Sequence, residues 1–230
     1  MTGQSPDNTQ PETMTRKDSP PDGYAIREWI RWLRQTNHPV VQIVRDLVSS
    51  ALVVLLIGVV LFAISGVWPP MVAVESGSME PHMSRGDLVF VVEESRFAPT
   101  AARDPTGVVT YRIGKRVGYR KFGSYGDVIV YRPNYAGGTP IIHRARFWVN
   151  ESENWYDKAD PAYLDGENCR EIPNCPAPQA GFITKGDANN KYDQVMGLSG
   201  PVRPVWIEGK AELRIPWIGY IRLLFGVLVV

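Results

Sequence analysis

The chain has 230 residues, a formal net charge of +1, 44% hydrophobic and 21% charged residues. That length fits one ordinary domain with accessories, and the composition excludes wholesale disorder and fibrous repeats. The balanced charge argues against a dedicated nucleic-acid binder, and two cysteines can build neither a disulfide scaffold nor a four-thiolate zinc site.

Residues 1–23 set Pro6, Pro11, Pro20 and Pro21 among polar residues, which predicts a disordered tail. Residues 24–36 place Ile26, Trp29, Ile30 and Leu33 at helical spacing, with Arg27, Arg31 and Arg34 elsewhere on the wheel. That pattern suits a helix lying on a membrane surface, or an ordinary cytosolic helix. Positions 47–74 then run for 28 residues without a charge. Within them, residues 47–68 supply the roughly 20 apolar helical positions that a bilayer core of ~30 Å requires. A cleaved leader would have a shorter apolar run nearer the N-terminus. Arg27, Arg31, Arg34 and Arg45 precede the span, whereas only Arg85 lies within the 20 positions after it. The asymmetry predicts a single-pass anchor with residues 1–46 in the cytoplasm and residues 69–230 outside.

The outer region reads as β-structure. Residues 87–92, 127–132, 140–149, 181–186 and 204–214 are rich in Val, Ile and aromatics and are bounded by Gly, Pro and Asn. Residues 93–123 and 150–180 read as excursions between strands. The C-terminal 215–230, at ~1.5 Å per residue, is short for a span, so it reads equally as a strand end dipping into lipid or a shortened second anchor. Cys169 and Cys175 would face an oxidising exterior and could pair. Asn150-Glu151-Ser152 is an acceptor sequon for glycosylation.

The chemistry narrows to few residues. His38 lies on the cytoplasmic side, His82 is local to a proline-containing turn, and His143 sits within a predicted strand. A lone strand histidine is more often packed core than catalyst. The surroundings change that balance: Ser76-Gly77-Ser78-Met79-Glu80-Pro81 follows the anchor, and Lys185-Gly186-Asp187-Ala188-Asn189-Asn190 with Asp193 follows the histidine strand. A serine hydroxyl needs such a base to become a nucleophile. Arg144, next to His143, reads as a structural residue on the opposite sheet face. Trp148, Trp155 and Tyr156 could line a groove or fill the core.

Taken together, VESGSMEPHMSRGDLVFV (74–91), GDVIVYRP (126–133), IIHRA (141–145) and TKGDANNKYD (184–193) resemble type I signal peptidases of the endoplasmic-reticulum/archaeal type, in that family's order. WIGYIRLLF (217–225) resembles the family's closing segment. The resemblance implies a mostly β fold, a coiled antiparallel sheet or barrel domain behind one N-terminal transmembrane helix. It implies a membrane-anchored serine endopeptidase that removes signal peptides from secretory preproteins after small residues at −1 and −3, without metal or cofactor. Bacterial relatives carry Lys-Arg where this chain has His143-Arg144, and use a Ser–Lys dyad. The histidine implies a Ser–His–Asp arrangement: Ser78 as nucleophile, His143 as base, and an aspartate orienting the imidazole. The Ser78 N–H with the Ser76 hydroxyl would stabilise the oxyanion. Asp187 and Asp193 both match acidic positions, Asp193 being the first choice for the triad and Asp187 for bracing the turn. A bilayer, preproteins and the protein-translocation channel are the implied partners, with no nucleic acid. The excursions and basic N-terminal segment favour an archaeal plasma membrane, or the endoplasmic reticulum in a eukaryote. Alternatives are a Ser–Lys dyad using Lys121 or Lys185, a catalytically silent binding protein on the same fold, and a self-cleaving repressor related by fold. The anchor and the absence of a DNA-binding region disfavour the last.

Overall fold

The computed structural model describes residues 26–36, 38–133 and 139–227. The tail expected over residues 1–23 lies outside the described residues, as do the last three positions of the C-terminal segment. Two compact units divide at residues 60 and 61.

The first unit is helical. α1 (Ile26–Gln35) leaves Ile26, Ile30 and Leu33 exposed along one side. α2 (Pro39–Ser65) begins within that unit and is a helix long and apolar enough to cross a membrane. None of its most apolar stretch is buried inside the chain. Its 27 residues extend about 40 Å. It starts before the expected anchor and stops three residues sooner. The stop has a physical cause: Gly66 takes φ +78°, and a Cβ there would stand 2.6 Å from Arg96 Nε. Arg96 Nη1 donates to Ala63 O at 2.6 Å and Ile64 O at 2.8 Å, satisfying carbonyls the helix end leaves open.

The second unit is built on one six-stranded antiparallel sheet. Its strands are β1 (Met71–Ala73), β2 (Leu88–Val92), β5 (Val128–Tyr131), β6 (Ile141–Val149), β7 (Gly181–Lys185) and β8 (Ile207–Ile215), in the order β1-β2-β8-β5-β6-β7. β3 (Arg120–Lys121) and β4 (Ser124–Tyr125) form a separate hairpin. Four of the six sheet strands fall within the expected runs, and a fifth, β8, overruns its run by one residue. β1 was not foreseen, because no polar residue separates it from the apolar anchor.

Both faces of the sheet's middle are covered. Along β5, Val128 and Val130 enter a cluster with Met79, Met83 and Val89, while Ile129 and Tyr131 enter another with Val108, Phe182 and Trp206. A strand buried on both faces reads as a continuous apolar run rather than an alternating one. The excursions are ordered. Residues 93–123 hold the short α3 (Tyr111–Val117), started by Thr110, whose Oγ accepts from Ile113 N, and stopped at Gly118. Residues 150–180 hold single 3₁₀ turns packed around buried Trp155, whose Nε1 donates to Asn174 O at 2.7 Å. Trp155 is therefore core, while Trp148 stacks edge-on against Phe182 at 4.8 Å. Cys169 and Cys175 are disulfide-bonded in this excursion. After β8 the chain forms a helix, α4 (Gly219–Val227), rather than a strand end. Nine residues rise about 14 Å, less than half a bilayer core.

Candidate active site

The nucleophile segment follows β1 and is pinned by its own apolar residues. Met79 and Met83, four apart, are both fully buried in the cluster beneath the sheet. Backbone bonds from Glu80 N to Gly77 O and from His82 N to Met79 O close the turn. With the methionines turned inward, Ser78 is left half-exposed at the surface of the turn.

β6 brings His143 to that serine. Its Nε2 lies 3.0 Å from Ser78 Oγ, and its Nδ1 lies 2.8 Å from Asp193 Oδ2. An ionised carboxylate can only accept, so Nδ1 carries the proton and Nε2 is free to accept from the serine hydroxyl. Asp193 is fully buried, and its backbone N–H donates to Thr184 O on β7 at 3.0 Å. Ser76 Oγ stands 3.1 Å from Ser78 Oγ. Four residues named from the sequence thus meet in one hydrogen-bonded chain.

Tyr131, on β5, joins them and was not foreseen. Its hydroxyl donates to Asp193 Oδ2 at 2.9 Å, the same oxygen that receives His143. Burial, followed by the Asp193 charge, pushes the phenol well above its ordinary value, so it remains a donor. Thr184 Oγ1 lies 3.2 Å from that hydroxyl, and Gln194, also fully buried, bonds Thr184, Ser199 and Gly200. A tyrosine in an apolar run reads as core, so nothing local marks it as part of the site.

Asp187 stands apart from His143 and accepts elsewhere. Arg144 Nε and Nη2 reach its two oxygens at 2.8 and 2.6 Å, and His82 Nδ1 reaches Oδ2 at 2.9 Å. Burial would raise this carboxyl, but hydrogen bonds and charge from Arg144 and then His82 outweigh it and hold the group below its ordinary value. Arg144 is itself fully buried and donates to Gly126 O at 2.8 Å. The next residue, Ala188, donates its N–H to Ser78 O at 2.9 Å. Gly186 permits that approach, since a Cβ there would sit 2.6 Å from Ser78 O. His82, set aside in the sequence as a base, is thus half of a bridge between the serine turn and the aspartate turn.

Neither lysine of the alternative dyad bonds to Ser78. Lys121 pairs with Glu212, and Lys185 Nζ donates to Gly186 O and Asn189 O at 2.8 and 2.6 Å. Among the described residues, no three His, Cys, Asp or Glu side chains gather as a metal-binding set. Beside Ser78 and His143 opens a groove of about 610 Å³ with Val67, Val72, Val130 and Ile142 in its walls. Arg132 and Glu208, paired at 3.0 Å, also line it.

A serine, an imidazole and a buried carboxylate in series, beside an apolar groove on an antiparallel sheet, have the chemistry of a serine-nucleophile hydrolase. The chain is 30% identical over 161 residues to the signal peptidase complex catalytic subunit SEC11 of Paracoccidioides brasiliensis, covering 68% of this chain and 66% of that protein. It is 31% identical over 163 residues to the protein of the same name from Aspergillus oryzae, covering 68% and 65%, and 28% identical over 160 residues to that from Neurospora crassa, covering 68% and 64%. The matched region spans about two thirds of each relative's length. No family model matches the chain. It belongs to the family of signal peptidase catalytic subunits.

Proposed function

We propose that this chain is a membrane-anchored serine endopeptidase that cleaves signal peptides from secretory preproteins. The observation carrying the reading is the unbroken series from Ser78 Oγ through His143 to Asp193, with steps of 3.0 and 2.8 Å. Ser78 attacks the scissile carbonyl as His143 Nε2 takes its proton. Asp193 stabilises the imidazolium that results, and His143 then returns the proton to the leaving amine. Tyr131 holds the Asp193 carboxylate in place. The Ser76 hydroxyl and the Ser78 N–H serve the oxyanion, where one donor is worth about 10²–10³ in rate. Asp187 braces the site, tying the serine turn to the segment that carries Asp193. The aliphatic groove receives the extended end of the signal peptide, with small residues at −1 and −3 next to the serine.

The arginine asymmetry supports a cytosolic N-terminus, a span within α2 and a catalytic domain on the far side. The substrate emerges there, so the bilayer and the protein-translocation channel are the neighbours this reading requires. The relatives reported above are fungal and are named as subunits of a complex, and they lend no support to an archaeal plasma membrane. Purified full-length chain, in detergent with a model preprotein, tests the reading. Wild type should release the mature protein and Ser78→Ala should not. Equal cleavage by both would remove Ser78 from the chemistry.

A further inference from the structure

A second cavity, of about 470 Å³, opens away from the serine groove, between α3, β6 and the 3₁₀ turn at Tyr156–Lys158. Five cationic side chains line it, Arg112, Lys115, Arg116, Arg146 and Lys158, against the single carboxylate of Asp160. That carboxylate is engaged, accepting from Ala162 N at 3.1 Å, and Lys158 is neutralised by Glu153. Among the described residues, Arg112, Lys115, Arg116 and Arg146 make no ion pair with a carboxylate.

Lys115 and Arg116 occupy the last turn of α3, where cations suit the helix end. Arg146 has no such explanation. It rises from the middle of β6, half-buried, with its guanidinium 3.8 Å from the centre of the Tyr111 ring. Arg112 is held in a similar way, over Phe147 at 5.1 Å and donating to Lys158 O. The stacking fixes the planes of both guanidiniums at the cavity wall while leaving their edges without an anionic partner. The positive field extends into the protein: burial first, then the charge of Arg146, pushes Lys185 below its ordinary value. A half-buried cation is stable when an anion answers it, and a guanidinium fork matches the oxygens of a phosphate in a planar, two-point contact.

We infer that this cavity is an anion site for a phosphate group, with Arg146 as its central ligand and Arg112, Lys115 and Arg116 around it. A phosphodiester headgroup of a lipid and a free phosphate present the same oxygens. The test is calorimetric titration of the full chain in neutral detergent at constant ionic strength. Inorganic pyrophosphate is one arm, and short-chain dihexanoyl phosphatidylglycerol, with the phosphatidylcholine analogue as control, is the other. Saturable binding of either is expected, weakened about tenfold in Arg146→Gln, in line with the loss of a charge-assisted hydrogen bond. Lys115→Gln/Arg116→Gln, at exposed positions that leave folding intact, should weaken it about threefold. Tighter binding of phosphatidylglycerol than of both pyrophosphate and phosphatidylcholine identifies a lipid headgroup, and tighter pyrophosphate a free phosphate. No saturable binding in either arm overturns the site, as does binding that both variants leave unchanged.

Discussion

Replacing Tyr131 with Phe removes one oxygen and keeps the ring. The hydroxyl is one of two donors to Asp193 Oδ2, at 2.9 Å, the other being His143 Nδ1 at 2.8 Å. Asp193 Oδ1 is buried with no hydrogen-bond partner among the described residues, so the variant leaves the carboxylate with the imidazole as its one side-chain donor. A hydrogen bond to a charged acceptor is worth about 1.5–3 kcal/mol. If that energy holds Asp193 in register for the imidazolium, its loss lowers kcat by about 10- to 100-fold, at ~1.36 kcal/mol per decade. KM should change little, because Tyr131 lies outside the residues lining the groove. The assay is steady-state cleavage of a purified preprotein by Tyr131→Phe, Asp193→Asn and the double variant. If Tyr131 acts through Asp193, adding Tyr131→Phe to Asp193→Asn costs nothing further. A kcat within twofold of wild type, or a full additional loss in the double variant, refutes the positioning role.

Asp193→Asn should fold and melt near wild type while losing on the order of 10⁴ in kcat, measured by single-turnover cleavage beside a melting curve. Asp187→Asn should lose stability and activity together, because it releases Arg144 and His82 at once. Its carboxyl is held below the ordinary 3.8, so its contribution is complete above that value and disappears as pH falls through the lower folded value. The melting gap between wild type and Asp187→Asn should therefore be full at neutral pH and close in strong acid. Changing Cys169 and Cys175 together to Ser opens a loop with a sequence separation of 6 and should lower stability by about 2 kcal/mol, read from denaturant melts, without touching kcat.

Local pattern carried much of the fold. β-branched runs located β2, β5, β6, β7 and β8 to within a few residues, because such side chains fill a pleated, buried surface. α3 escaped notice because its seven residues are too few for a helical period to emerge. The site divided differently. Ser78, His143 and Asp193 were legible through the resemblance of short segments, each with a chemically distinctive residue. Tyr131 and His82 were not, since their partners lie 62 and 105 positions away and nothing local marks the pairing. Strand order was also hidden: no local signal states that β8 enters the sheet between β2 and β5.

That insertion has a consequence for how the two halves of the site are held together. The serine turn hangs between β1 and β2, whereas the histidine and its carboxylate belong to the β5-β6-β7 block. Within the sheet, and among the described residues, the two halves are joined only through β8, whose Lys210 pairs with both Val92 and Ile129. Among the described residues, β8 follows the other five sheet strands in the chain. Without β8 the nucleophile and the base stand on two pieces with no shared ladder, tied by contacts such as the Ala188–Ser78 backbone bond and the His82–Asp187–Arg144 bridge. Pairings this distant in sequence are also the slowest to form.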